Sequence, residues 1–296
     1  MRLMSCRSAT GEVLGIVEGE RWLPVATILA NGPHTIADLL AAAPGAPGEL
    51  RDAAGRARIG ASGRPLAEAD LLAPVPRPGK IVAIGRNYRE HAEEEGVDPP
   101  TAPLIFSKWP SSVVGHGAEI RWDAGLTGQV DYEAELAVVI GRTARRVPVA
   151  DALEHVLGYT CLNDVSARDL QFGDGQWTRG KSLDTFCPMG PVLVTADELG
   201  DAGDLAIGCS VGGDVLQQAR TSQMYFSVAE IVSYCSMAFT LEPGDVIATG
   251  TPSGVGAFRK PPRYLADGDR VTVEIERIGV LENVCRVETA AAGAAA

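Results

Sequence analysis

Glu133 and Glu135 stand two residues apart in the run DYEAELAVVIG, residues 131–141. The apolar, β-branched character of the run predicts a strand. Alternation then puts both carboxylates on one face while Ala134, Leu136, Val138 and Ile140 serve packing. Two like charges side by side either lie in solvent or neutralise themselves against a cation. In CLNDVSARDLQ, residues 161–171, Asp164 ends another apolar stretch and offers a third carboxylate. Three carboxylates without a Cys/His ligand set suit a hard divalent ion, Mg²⁺ or Mn²⁺ before Zn²⁺. A solvated acidic edge strand is the competing reading of the same spacing.

Other groups carry chemistry of their own. GRNYREHAEEEG, residues 85–96, predicts a short helix with Asn87 as its cap and Gly96 as its terminator. His91 and Glu94 then neighbour one another at i and i+3. A carboxylate beside an imidazole fixes its tautomer and raises its basicity, as a general base requires. A chance pair on an exposed charged helix has the same spacing. Lys181, in a Gly-flanked loop before an apolar strand, suits a substrate carboxylate or developing negative charge, although lysines are ordinarily solvated. If Asp164, Arg168 and Gln171 share a helix, they lie near one face. Ser107, Lys108, Ser111 and Ser112 form a weak set of anion contacts. The glycine-rich loop after Val246 holds Thr249, Thr251 and Ser253, and such loops bring backbone amides to anions. It is neither a Walker motif nor a G-x-G-x-x-G at a helix head.

These groups need elements to position them. The chain has 296 residues, 46% hydrophobic and 22% charged, with a formal charge of -12, so it can bury a large core. That charge argues against a nucleic-acid surface, which needs clustered Lys and Arg. No stretch is apolar enough for a signal peptide or membrane span. Six scattered cysteines without CxxC spacing predict a reduced, cytoplasmic protein with core thiols. Residues 1–73 read as a small N-terminal domain: GEVLGIVEG and RWLPVATIL as strands, TIADLLAAA as a helix capped by Thr35, then a poorly constrained Ala/Gly/Pro/Arg-rich surface segment to about Arg64. Pro74, Pro76 and Pro78 mark a linker. Residues 74–287 form the larger domain. LIF reads as a buried strand, VPVADALEHVLGYT as a helix leading into a strand, and LAIGCSVGGDVLQQA as a hairpin tipped by Gly212 and Gly213. A helix follows with Val228, Ile231, Val232, Cys235 and Phe239 on its core face. A terminal hairpin precedes a disordered tail, 288–296. His34, His116 and His155 read as surface or turn histidines.

In this order, GRNYREHAEEEG, DYEAELAVVIG, LNDVSARDLQ, WTRGKSLDTFCPMGP, TSQMYFSVAEIVSYCS and LEPGDVIATGTPSGVG resemble the fumarylacetoacetate hydrolase family, over roughly residues 78–287. The nearest branch is that of the bacterial acylpyruvate hydrolases and 2-hydroxyhepta-2,4-diene-1,7-dioate isomerases. The resemblance implies an α+β, mainly β fold: a mixed β-roll catalytic domain with a small N-terminal domain, usually dimeric. It implies that Glu133, Glu135 and Asp164 hold Mg²⁺ or Mn²⁺ and that His91 and Glu94 form a water-activating dyad. Lys181 joins the catalytic set, and Arg86, Arg168, Gln171 and Thr251 line the substrate site. The implied reaction is hydrolysis of a C–C bond in an acylpyruvate or related β-diketo acid, with the metal as a Lewis acid for the enolate. Isomerisation or decarboxylation of 2-oxo or 2-hydroxy-diene diacids, oxaloacetate included, would use the same centre. A 2-oxo acid binding protein without turnover is the reading from a different class, and the intact His91, Glu94 and Lys181 argue against it.

Overall fold

The structure, a computed structural model, describes residues 1–42, 46–57 and 59–288, so the expected tail lies outside the described residues except for Glu288, which ends the last strand. The expected α+β, mainly β fold is what forms. An 11-stranded sheet has Ala134–Ile140 between Val156–Asn163 and Val246–Ala248. Every residue of Ala134–Ile140 is buried. Its alternation separates two cores: Leu136, Val138 and Ile140 pack into one, Ala137 and Val139 into the other. A strand covered on both faces carries a continuous apolar run, which explains the sequence here.

The opening strands, Arg2–Ser8, Gly11–Glu18 and Arg21–Pro24, extend this sheet, with Arg2–Ser8 pairing antiparallel to Cys187–Thr195. Thr35 caps the helix Ile36–Ala41: its hydroxyl accepts from the Asp38 amide at 3.1 Å and Asp38 accepts from the Thr35 amide at 2.9 Å. The Ala/Gly/Pro/Arg-rich segment is not a loose surface stretch. Its described part forms the helix Ala46–Arg56, which buries Leu50 and Ala53, and Ile59 is buried just beyond. Leu50 and Ile59 join the core on one sheet face, a partner that the weak local pattern does not reveal.

The strand containing LIF, Leu104–Lys108, is an outer strand of the main sheet. Leu104 is exposed, whereas Phe106 and, unexpectedly, Lys108 are buried. The segment before Val156–Asn163 is a 3₁₀ helix, Val149–His155. A second sheet of five strands contains the expected hairpin, Ala206–Val211 and Asp214–Arg220, with Gly212 and Gly213 at positive φ in its turn. In the helix Val228–Ala238, Val228, Ile231, Val232 and Cys235 are buried, and Phe239 is only half-buried at the cap. All six cysteines are free and buried. Among the described residues no helix is long and apolar enough to cross a membrane.

Strand pairing assembles one end of the main sheet. Ile81–Gly85 runs parallel to Val246–Ala248, and Ala134–Ile140 runs antiparallel to it. Arg86 and the loop 249–251 therefore emerge beside Glu133 and Glu135. The pairing Ala134↔Asn163 brings Asp164 to the same end.

Candidate metal and acid-base site

Carboxylate oxygens of Glu133, Glu135 and Asp164, all buried, lie within 4.8 Å of one another. The Asp164 amide donates to the Glu133 carbonyl at 2.9 Å, and the Glu133 amide donates to Asn163 Oδ1 at 3.0 Å. Gly250, at φ +104°, donates its amide to Glu135 at 2.8 Å. A Cβ at this position would meet Asn87 Cβ at 2.8 Å, so glycine is what permits the approach.

Two of the three carboxylates face cations. Lys181 Nζ lies 2.8 Å from Glu133 and 2.9 Å from Asp164, and Arg168 Nη1 lies 2.7 Å from Glu133. Arg168 Nε also pairs with Asp131 at 2.8 Å, and its Nη1 donates to Gln171 at 3.0 Å. Its Nη2 is buried without a partner. Lys181 sits at the end of a one-turn helix, Thr178–Lys181, rather than in an open loop. Asp164 precedes the helix Arg168–Asp174 rather than lying on it, yet Arg168 and Gln171 do converge on the site. Lys108 was underrated by its sequence context. Its ammonium donates to Asp164 Oδ1 at 2.6 Å, to the Val165 carbonyl at 3.3 Å, and to the Lys181 carbonyl.

Charge in this cluster is unevenly matched. Burial opposes ionisation of Glu133, but Lys181 and Arg168 overcome it and hold its carboxyl well below the ordinary glutamate value. Burial, joined by the charges of Asp164 and Glu133, pushes Glu135 well above its ordinary value. Among the described residues Glu135 makes no ion pair. A buried carboxylate with two like-charged neighbours and no cation of its own is the environment that a divalent cation complements, and the all-oxygen donor set fits a hard one.

The helix Arg89–Glu95 lies over this cluster. Its N-cap is Tyr88, not Asn87, whose amide group instead bonds Phe226 and Thr249. Gly96 ends it in the left-handed conformation, as expected. His91 is buried, with Nδ1 at 3.2 Å from Glu94 and Nε2 at 3.1 Å from Glu95. Burial pulls the His91 imidazolium down, but the bonds to Glu94 and Glu95 outweigh it and leave its pKa above the ordinary histidine value. Glu94 is anchored in turn by the Gly254 amide at 3.0 and 3.2 Å. Glu95, four residues after His91, shows only an i, i+4 spacing in the sequence.

A crevice of about 20 Å³ is lined by Arg86, His91, Glu95, Glu133, Glu135, Arg168, Gln171, Lys181 and Thr251, together with Phe106 and Trp177. Thr251 Oγ1 accepts from Gln217 Nε2 at 2.9 Å. Larger hollows of about 660 and 730 Å³ lie elsewhere but lack a comparable convergence of acid, base and cation. His34, His116 and His155 do not line the crevice.

Residues 80–286 match the family described as "Fumarylacetoacetate (FAA) hydrolase C-terminal". The chain is 48% identical over 221 residues to the mitochondrial oxaloacetate tautomerase FAHD2A of Bos taurus, covering 74% of this chain and 70% of that protein. It is also 48% identical over 221 residues to the oxaloacetate tautomerase YisK of Bacillus subtilis, covering 74% and 73%. A solved fumarylacetoacetate hydrolase from Exiguobacterium antarcticum superposes with a TM-score of 0.83 at 37% identity, over 97% of this chain and 100% of that one. Sequence match and three-dimensional likeness agree, and the chain belongs to the fumarylacetoacetate hydrolase family.

Proposed function

We propose that this protein moves a proton between carbon and oxygen in a small 2-oxo diacid, interconverting the keto and enol forms of oxaloacetate or a close analogue. The carrying observation is the crevice lined by His91, Glu133, Glu135, Arg168 and Lys181, with Asp164 completing the carboxylate cluster behind it and Glu94 holding His91 from outside it. The similarity to two oxaloacetate tautomerases supports the choice of substrate.

Glu133, Glu135 and Asp164 would hold the ion, Mg²⁺ or Mn²⁺. When bound, it supplies Lewis acidity that stabilises negative charge on the 2-oxo oxygen. His91, oriented by Glu94, takes the proton from the carbon next to the carbonyl and returns it in the reverse direction. Lys181 and the unpartnered Nη2 of Arg168 stabilise the substrate carboxylate and the growing enolate charge. Gln171 and Thr251 orient the acid by hydrogen bonds, and Arg86 meets its far end.

A second reading is hydrolysis of an acylpyruvate. The same His91–Glu94 contact suits activation of a water, and the similar E. antarcticum structure is a fumarylacetoacetate hydrolase. We further propose a cytoplasmic homodimer. The deciding experiment strips the protein with chelator and restores Mg²⁺ or Mn²⁺. It follows loss of enol absorbance from oxaloacetate, and in parallel pyruvate and acid release from acylpyruvates. Metal-dependent enol loss supports the tautomerase. Cleavage of acylpyruvates without that activity replaces it with the hydrolase.

A further inference from the structure

Glu95 occupies an unusual place. One of its carboxylate oxygens lies 3.1 Å from His91 Nε2, and the other accepts from Arg86 Nε at 2.8 Å. A single carboxylate thus bridges the general base and the one crevice arginine whose side chain remains partly open, 32% exposed. His91 Nδ1 is already taken by Glu94, which the Gly254 amide holds in place. Nε2 is therefore the nitrogen left for proton transfer, and Glu95 covers it.

The crevice of about 20 Å³ is roughly the space of one water, so a four-carbon acid enters only if a lining group moves. Glu133, Lys181 and Arg168 each pair with two charged partners inside the buried cluster. Glu95 is held differently. It lies in the last turn of its helix, next to Gly96, where the helix dipole disfavours a carboxylate. Its pose rests on Arg86 and His91, whose charges keep its carboxyl ionised against the effect of burial. Arg86 itself takes a left-handed backbone, φ +58°, and lays its guanidinium 5.6 Å from the Trp177 ring centre. A non-glycine residue in that conformation is held there by its surroundings.

We infer that Glu95 is a substrate-displaced latch: its carboxylate stands where the distal carboxylate of a diacid binds Arg86, and its release uncovers His91 Nε2. This deepens the oxaloacetate reading and rests on it. It makes Glu95 a specificity residue, because a monoacid has no second carboxylate with which to replace it. Diacids bind against an internal competitor, and their apparent affinity is reduced by the latched fraction.

The test measures binding of malate and lactate, non-reacting 2-hydroxy acids that differ by one carboxylate, to Mg²⁺-loaded protein by calorimetry. Glu95→Gln, nearly isosteric, should tighten malate about tenfold relative to lactate. Glu95→Asp, charged but shorter, should give a smaller gain and guards against a folding defect in the first variant. In Arg86→Gln the preference for malate should collapse, and adding Glu95→Gln should then restore none of it. A gain that persists without Arg86 would mean general charge repulsion and overturns the latch, as would malate and lactate tightening equally or malate weakening. Oxaloacetate turnover of the wild type is scored separately. Arg86-dependent gain without turnover fails the activity reading alone, and turnover without that gain fails the latch alone.

Discussion

Lys108→Met probes the buried charge network most directly. The Lys108 side chain is fully buried, and its three N–H donors meet three acceptors: Asp164 Oδ1 at 2.6 Å, the Val165 carbonyl at 3.3 Å and the Lys181 carbonyl. Methionine keeps the apolar stem but donates nothing. Breaking a buried ion pair by removing one partner costs about 3–5 kcal/mol. Asp164 retains Lys181 at 2.9 Å, which favours the lower end of that range. The stripped carbonyls push the other way, each unsatisfied acceptor costing about 1–3 kcal/mol. The expected loss is therefore about 5 kcal/mol or more, a large share of the roughly 5–15 kcal/mol that holds a typical domain together. Urea unfolding followed by tryptophan fluorescence, in chelator so that no added ion compensates Asp164, measures it. Lys108→Gln, which restores part of the donor capacity, should lose less. A Lys108→Met loss within the about 0.5 kcal/mol of ordinary surface substitutions would refute the reasoning.

Two further outcomes follow from the packing. Leu50→Ala empties a fully buried site in the helix Ala46–Arg56 and should destabilise by about 2–5 kcal/mol in the same assay, whereas a loose surface segment would register almost nothing. At the helix Val228–Ala238 the Ser227 hydroxyl and amide donate to Glu230 at 2.7 and 2.8 Å, which holds the Glu230 carboxyl below its ordinary value. A depressed carboxyl contributes stability above the unfolded glutamate pKa and loses it as pH falls through the folded one. Ser227→Ala should therefore cost about 1 kcal/mol at neutral pH, with the gap to wild type narrowing under acid; a pH-independent gap would exclude this linkage.

What the sequence determined by itself was mostly local. Glu135 lies on the expected strand and Glu133 immediately before it, their carboxylates converging, the Thr35 and Gly96 signals bounded helices, and Gly212-Gly213 closed a hairpin, because each depends on contacts within a few residues. His91 beside Glu94 was legible for the same reason, and the ordered motifs pointed to the family. Asn87 was misread as a cap because its partners, Phe226 and Thr249, are remote in sequence.

Tertiary structure alone decided which charges meet. Lys108 pairs with Asp164 across 56 residues, and Lys181 with Glu133 across 48. Both lysines resemble solvated ones in sequence because burial depends on what other segments lay over them. The helix Ala46–Arg56 stayed hidden likewise, its few apolar side chains gaining meaning only against the sheet. Glu95 lies between these cases: its spacing from His91 is a helix period, but its bridge to Arg86, nine residues away, depends on the left-handed backbone of Arg86 between strand and helix, which no periodicity encodes.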